Sequence, residues 1–379
     1  MGSLRTRMKK VVLFLLFLVV VLATIVRIRY GGGDHYRDLT GTPQIADSAL
    51  QEVLSYPEPI GNVAVSASGR VYFTVHPEAR PQGNKLLQYV DGASVPFPSG
   101  QVQHDLFDTV LGVVIDQQNR LWTIDHGNHG LRPPRLLAFD LESGEVVHDR
   151  RFSDQLAPTG SFFQDLQVSR DGRTVVIADA SFWAKSPALI VYNVETSTAR
   201  RVLENHESVS AEDYVIQNHG EDVKFFGGLA ALRAGVDGIA MNDEWFYYGA
   251  LNGSGLYRVP LATLIDPDLS NNDIATAVER YSDKPLSDGF SIDKEGNVLI
   301  TDVERGAIFT VGADRQPRTL VKSRKIRWAD ALSYGPDNWL YVADSALREV
   351  ILKSPEHIKA HGPYKIFRVQ TEIEGTPGQ

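Results

Sequence analysis

Cysteine is absent from the 379 residues. That excludes disulfides, cysteine-held zinc and thiol catalysis. It does not locate the protein, because a thiol-free chain tolerates oxidising and reducing compartments alike. Positive charge is in short supply: 38 Lys and Arg stand against 47 Asp and Glu, a formal charge of −9. No basic cluster occurs beyond the N-terminus, which argues against a nucleic-acid surface. Also missing are Gly-x-Ser-x-Gly, a P-loop, a dinucleotide-binding glycine fingerprint and His-Glu-x-x-His, so the chemistries those motifs serve drop out. Apolar residues are not scarce. They make up 43% of the chain, ample for a large core.

Residues 11–26 form an apolar run with one polar member, Thr24. Arg5, Arg7, Lys9 and Lys10 precede it; Arg27 and Arg29 follow. The run is slightly short for a spanning helix, about 17–25 residues, and slightly long for a signal-peptide core, about 7–15. No small-residue cleavage site stands at its end, where Ile25, Val26, Ile28 and Arg29 lie. It therefore reads as an uncleaved signal anchor, with a cleaved signal as the alternative. The heavier basic flank in front places the N-terminus in the cytoplasm and the rest of the chain on the far side, periplasmic or extracellular. Membrane contact is expected through this helix only.

Beyond it, one pattern recurs. Residues 288–300, DGFSIDKEGNVLI, read as a strand, a Lys-Glu-Gly-Asn turn and a second strand. The same register appears at 61–73 (GNVAVSASGRVYF), 111–122 (LGVVIDQQNRLW), 164–177 (QDLQVSRDGRTVVI), 237–248 (DGIAMNDEWFYY) and 330–342 (DALSYGPDNWLYV). The six starts are 50, 53, 73, 51 and 42 residues apart. Short strands at a period of roughly 40–50 residues are the mark of a β-propeller with about four strands per blade. The fold expected is all-β, a six-bladed propeller behind an N-terminal hydrophobic helix. Six unrelated hairpins in a sandwich are the alternative, but shared register favours the propeller. The chain then divides into the signal segment (1–30), a linker and approach to the first blade (31–58), the propeller (59–370) and a C-terminal tail (371–379). The widest gap holds an insertion, residues 204–235, of the kind that shapes a channel mouth. Ser210 to Asp213 within it has the composition of a helix cap.

Inner strands of a propeller start near the central channel, so the first residues of the copies should converge there. They are Gly61, Leu111, Gln164, Asp237, Asp288 and Asp330, with Asn62 and Asp165 one place later. Converging carboxylates are costly unless they share protons or hold a cation. An all-oxygen donor set suits a hard cation such as Ca²⁺. Gln164, Asp237 and Asp288 are the candidate metal ligands; Asp165, Asp330 and His126 are candidates for contacting a small-molecule ligand. The simpler reading of each Asp-Gly is a capped backbone turn. His126 sits in a dense Asp125-His126-Gly-Asn-His129 cluster, as a general base or ligand, or as a loop histidine bonded to backbone. A second ring, Asp125, Asp179, Asp302 and Asp344, ends the second strands and reads as architecture. No catalytic residue is assigned.

The segments GVVIDQQNRLWTIDHG, FFQDLQVSRDG, YYGALNGSGLYRVP, KPLSDGFSIDKEGNVLITD and RWADALSYGPDNWLYVADS resemble the major royal jelly protein/yellow family in its bacterial form. The likeness runs from about residue 59 to 367. It implies a six-bladed propeller, usually secreted, with a small-ligand site at the channel mouth. A more distant likeness joins it to the gluconolactonase/regucalcin propellers, which are calcium- or zinc-dependent lactonases. There a Glu of the first blade, two Asn and an Asp hold the channel metal. Gln164 and Asp237 stand at the Asn places and Asp288 at the Asp place, while the Glu place falls on Gly61. Three functions follow as expectations: a small-ligand binder, a divalent-metal-dependent lactonase, or a protein-interaction scaffold.

Overall fold

The computed structural model describes residues 2–379, with side chains from Thr6 onward. Among the described residues, six four-stranded antiparallel sheets form the blades of a propeller. The innermost strands are Ile60–Val65, Val110–Ile115, Phe163–Val168, Val236–Met241, Phe290–Ile292 and Ala329–Tyr334. Each touches the next around the ring, and the last packs on the first. Innermost strands are buried along their whole length, because neighbouring blades cover both faces. Outer strands such as Val146–Arg151 have no buried residue and run between half-buried and exposed positions. Between the second and third blades lie Trp122, Ile124, Phe163, Ile177 and Tyr192, all fully buried. The indole nitrogen of Trp122 keeps its hydrogen bond by donating to Asp116 at 2.7 Å.

The sixth blade is closed by the start of the propeller sequence. Gln51–Tyr56 pairs with Tyr364–Gln370, placing Glu52 opposite Phe367. These residues were expected to lie in an approach to the first blade, and they instead form the outer strand of the last. Such closure removes the seam at which a ring could open. The second ring of aspartates serves the fold, as expected. Asp179 accepts from the Phe162 amide at 2.7 Å, and Asp344 from the Trp328 amide at 2.7 Å. Asp125 accepts from the amides of Asp108 and Thr109. In these three blades the end of the second strand is tied to the segment entering the first.

The two ends of the channel differ. The tail closes one: the Ile115 amide donates to Gly378 O at 2.9 Å, and the Tyr334 amide to Gln379 O at 2.8 Å. The other end carries the longer loops and the inserted ribbons Gln217–Asn218/Glu221–Asp222 and Lys224–Phe225/Ala230–Ala231. Ser210 to Asp213 adopts no helix there; the Ser210 hydroxyl donates to His206 O instead. The N-terminal helix α1 (Gly2–Tyr30) ends at this face, and its stretch Thr6–Tyr30 is long and apolar enough to cross a membrane.

Blade-to-blade contact near the axis depends on glycine. A Cβ on Gly238 would overlap the Asp288 carbonyl oxygen, and one on Gly289 would lie 2.5 Å from the Asp330 carbonyl oxygen. Gly238→Ala is expected to lower stability by about 1–3 kcal/mol through overpacking. Gly83→Ala, whose Cβ meets nothing within 4 Å, is expected to be near neutral. Thermal melting of both variants checks this, and equal melting temperatures would contradict it.

Candidate functional site

The inner strands are bulged where they start. Register breaks fall between Ile60 and Val63, Val110 and Val113, Phe163 and Asp165, Val236 and Ile239, and Ala329 and Ala331. In the fifth blade pairing begins only at Phe290, beyond Asp288. A bulge unpairs a residue and re-aims its side chain. The freed amides find local partners: Asn62 N donates to Thr74 Oγ1 at 2.9 Å, and Asp288 N to Thr301 Oγ1 at 3.0 Å.

Three of the re-aimed side chains, from three blades, meet. Gln164 Nε2 donates to Asp237 Oδ1 and to Asp288 Oδ1, the latter at 2.9 Å. Trp328 Nε1 donates to Asp288 Oδ2 at 2.8 Å. Both carboxyls are buried and accept from the same amide, so the charge of one opposes ionisation of the other and favours a proton retained on the pair. Burial, and then the charge of Asp288, push Asp237 well above the ordinary carboxylate range. Burial raises Asp288 to about 7, against the hydrogen bond from Trp328. Behind them Lys284 is fully buried, its ammonium donating to Ala250 O, Pro285 O and Ser287 Oγ. Burial brings it down to about 7.

Gln164, Asp237 and Asp288 form the floor of a cavity of about 60 Å³, enough for a few waters or a small polar head group. Its walls are largely apolar and include Phe162, Phe182, Trp183, Phe225, Leu232 and Leu347. The other three expected residues lie behind this surface. Asp165 accepts from the Leu166 amide at 2.9 Å, and burial raises it to about 7. Asp330 is buried with Oδ2 unpartnered, 3.6 Å from His76 Nε2, and burial and the charge of Asp288 hold it well above its usual value. His126 accepts the His129 amide on Nδ1 at 2.9 Å, and its ring stands edge-on to Phe162. Its Nε2 has no partner, and burial keeps it neutral by pushing its pKa far down.

Two wall residues come from a loop that gave no periodic signal. His76 and Glu78 follow the strand Val71–Val75. His76 Nδ1 accepts the Glu78 amide at 3.2 Å, which leaves Nε2 facing Asp330, and burial lowers this histidine to about 4. Glu78 pairs with His129 at 2.8 Å. Burial alone would raise Glu78, but this contact outweighs it and holds the carboxyl below its usual range. The first blade thus brings a glutamate to the cavity, though not from Gly61.

The major royal jelly protein family model matches residues 108–325, more than half of the chain. The chain belongs to the major royal jelly protein family. No curated protein matches it in sequence. Solved structures of the same fold include a luciferin-regenerating enzyme, 11% identical, with TM-score 0.57 over 87% of this chain and 97% of that one. Regucalcin of Agrobacterium tumefaciens, described as a calcium-binding protein, is 12% identical, with TM-score 0.54 over 86% of this chain and 95% of its own. A gluconolactonase of Xanthomonas campestris is 12% identical, with TM-score 0.51 over 90% of this chain and 94% of its own. At these identities the likeness is one of fold.

The floor of this royal jelly family member fits a hard cation in part. Two carboxylates and an amide offer oxygen donors, and Asp330 has an unpartnered oxygen nearby. Gln164, however, turns its amide nitrogen to both carboxylates, so a cation requires the amide to flip and any proton retained on the pair to leave. A separate trio, Glu349, His357 and His361, has donor atoms within 4.8 Å of one another, but it lies outside this cavity and the Arg348 guanidinium sits 3.4 Å from Glu349.

The raised carboxyls set the sign of one pH effect. A carboxyl whose pKa is higher in the folded than in the unfolded chain contributes stability that is fully present below about pH 4. That contribution is lost as pH rises through the folded value. Asn at 237 mimics the protonated acid, accepting from Gln164 and donating to Asp288. The melting temperature of Asp237→Asn minus that of wild type is therefore expected to grow from pH 4 to pH 8. The difference isolates this group from His76, whose lowered pKa costs stability as pH falls from about 6.5 to 4. A difference independent of pH would contradict the assignment.

Proposed function

We propose that this protein is an exported, membrane-anchored propeller that binds a small ligand in its channel mouth, with a cationic or hydrogen-donating group on the floor. The observation that carries this reading is a buried carboxyl pair, Asp237 and Asp288, at the base of a cavity with apolar walls. A ligand cation there replaces the shared proton, and the aromatic walls cover its apolar part. The basic flank of residues 11–26 supports the anchored, exported placement, with the propeller across the membrane from the N-terminus.

Metal-dependent lactone hydrolysis is the second reading, favoured by the all-oxygen donors of Gln164, Asp237 and Asp288. A divalent cation held by those three supplies Lewis acidity toward a carbonyl and a more acidic water. The chain's own part is to hold the donors on rigid strand bulges and to keep bulk water out with Phe162, Phe182 and Trp183.

Both readings meet in one measurement. Melting of wild type and Asp288→Ala is followed with millimolar Ca²⁺ and with a panel of small organic cations. A site at hundredfold excess of ligand over Kd stabilises the fold by about 2.7 kcal/mol. A shift in wild type that Asp288→Ala abolishes is expected for at least one of these. A Ca²⁺ shift would then make a lactone panel the next assay. No shift with any of them, or shifts that survive the substitution, would contradict a channel site.

A further inference from the structure

We propose that the rim of the channel mouth is seated in the headgroup layer of the bilayer that holds α1, so that the cavity opens toward lipid and takes its ligand, an amphiphile, from the membrane. This rests on α1 remaining attached to the mature chain.

The first observation is where the helix ends. Tyr30, its last residue, donates its hydroxyl to Trp183 O at 3.0 Å and packs against the rings of Phe182 and Trp183. Arg29 donates to Ala184 O at 3.0 Å, and Arg27 to Gly228 O at 3.2 Å. Phe182 and Trp183 are cavity walls. The apolar run ends at residue 26, and four residues of helix advance only about 6 Å. An interfacial layer is of that depth, and interfacial elements bury their apolar faces about 5–10 Å into it. Tyr and Trp at a helix end flanked by Arg form the belt expected at that level.

The second observation is the chemistry of the rim itself. Leu131 is 67% exposed, Phe226 63%, Leu352 49%, Trp183 38% and Leu229 36%. All five lie on loops or on the short 3₁₀ turn Phe226–Gly228 at the open face. Outside α1 the other exposed large apolar side chains are valines, on outer strands and on the short helix Gly100–Leu106. Phe226 and Leu352 have φ of 52° and 56°. Bulky residues rarely adopt that region. Large apolar residues held outward around a mouth, beside a helix apolar enough to span, meet one natural occupant, the bilayer interface. The cavity they surround has the same polarity as a lipid-derived molecule entering head first: apolar at the rim and acidic at the floor.

Tryptophan placement makes the test direct. Of the five tryptophans, Trp122 and Trp328 are fully buried. Trp245 and Trp339 begin second strands at the tail-closed end. Only Trp183 stands at the rim. The full chain is reconstituted into phosphatidylcholine vesicles carrying bromine on the acyl chains near the headgroup. Bromolipid is expected to quench wild-type fluorescence, Trp183→Phe to lose that quenching, and Phe226→Trp to gain more. Quenching unchanged by Trp183→Phe, with none gained by Phe226→Trp, would overturn the proposal. The readout needs neither ligand nor cation, so it stands or falls apart from the channel site. The intact mass of protein recovered from cell membranes reports separately whether α1 is retained.

Discussion

Two buried carboxyl groups under one amide set the terms for the rest of this molecule. Asp237 and Asp288 come from adjacent blades, and Gln164 bridges them from a third. Ionising both in a site of low polarity is costly, so the pair keeps a proton or exchanges it for a cation. Asp165 and Asp330 extend the acidic cluster one layer deeper, and Lys284 offsets some of its charge from behind. A cluster of this kind is tolerated only where the surrounding structure is rigid. Here the rigidity comes from strands buried on both faces and from a ring whose last blade is finished by the chain's own first strand.

The same architecture gives the channel one working end. The tail from residue 371 onward caps the far side through backbone hydrogen bonds to Ile115 and Tyr334. Loops and the insertion between the third and fourth blades build the near side, with α1 arriving at its edge. Polarity therefore grades along the axis, from aromatic rim to acidic floor to sealed base. The histidines at and behind the cavity wall work differently. His76 and His126 are buried and neutral; the Nε2 of His76 faces Asp330, and that of His126 has no partner, so they offer hydrogen bonds rather than charge.

Much of this was legible in the sequence where a repeat carried it. Six copies in one register specify six blades, and the same register puts Gln164, Asp237 and Asp288 at one height on the axis. Periodicity carries positional information of this kind because every inner strand begins the same way. What the repeat did not carry was not legible. Glu52 pairs with Phe367 across most of the chain, and non-local pairing of that kind leaves no local pattern. His76 and Glu78 come from a loop whose length differs from blade to blade, so no register points to them. Trp328 lies just before a copy, outside the repeated register, although its indole nitrogen donates to Asp288. His126 stands in a dense run of reactive side chains, yet that density is local turn chemistry, with Nδ1 capping the His129 amide.

At neutral pH the buried pair Asp237 and Asp288 is expected to retain a proton. Infrared difference spectroscopy of wild type against Asp237→Asn measures this directly through the carbonyl stretch of a protonated carboxylic acid. That band is expected at pH 7 in wild type and is expected to be reduced by one group in the variant. Identical spectra in the acid carbonyl region, with both carboxylates ionised at pH 7, would contradict it.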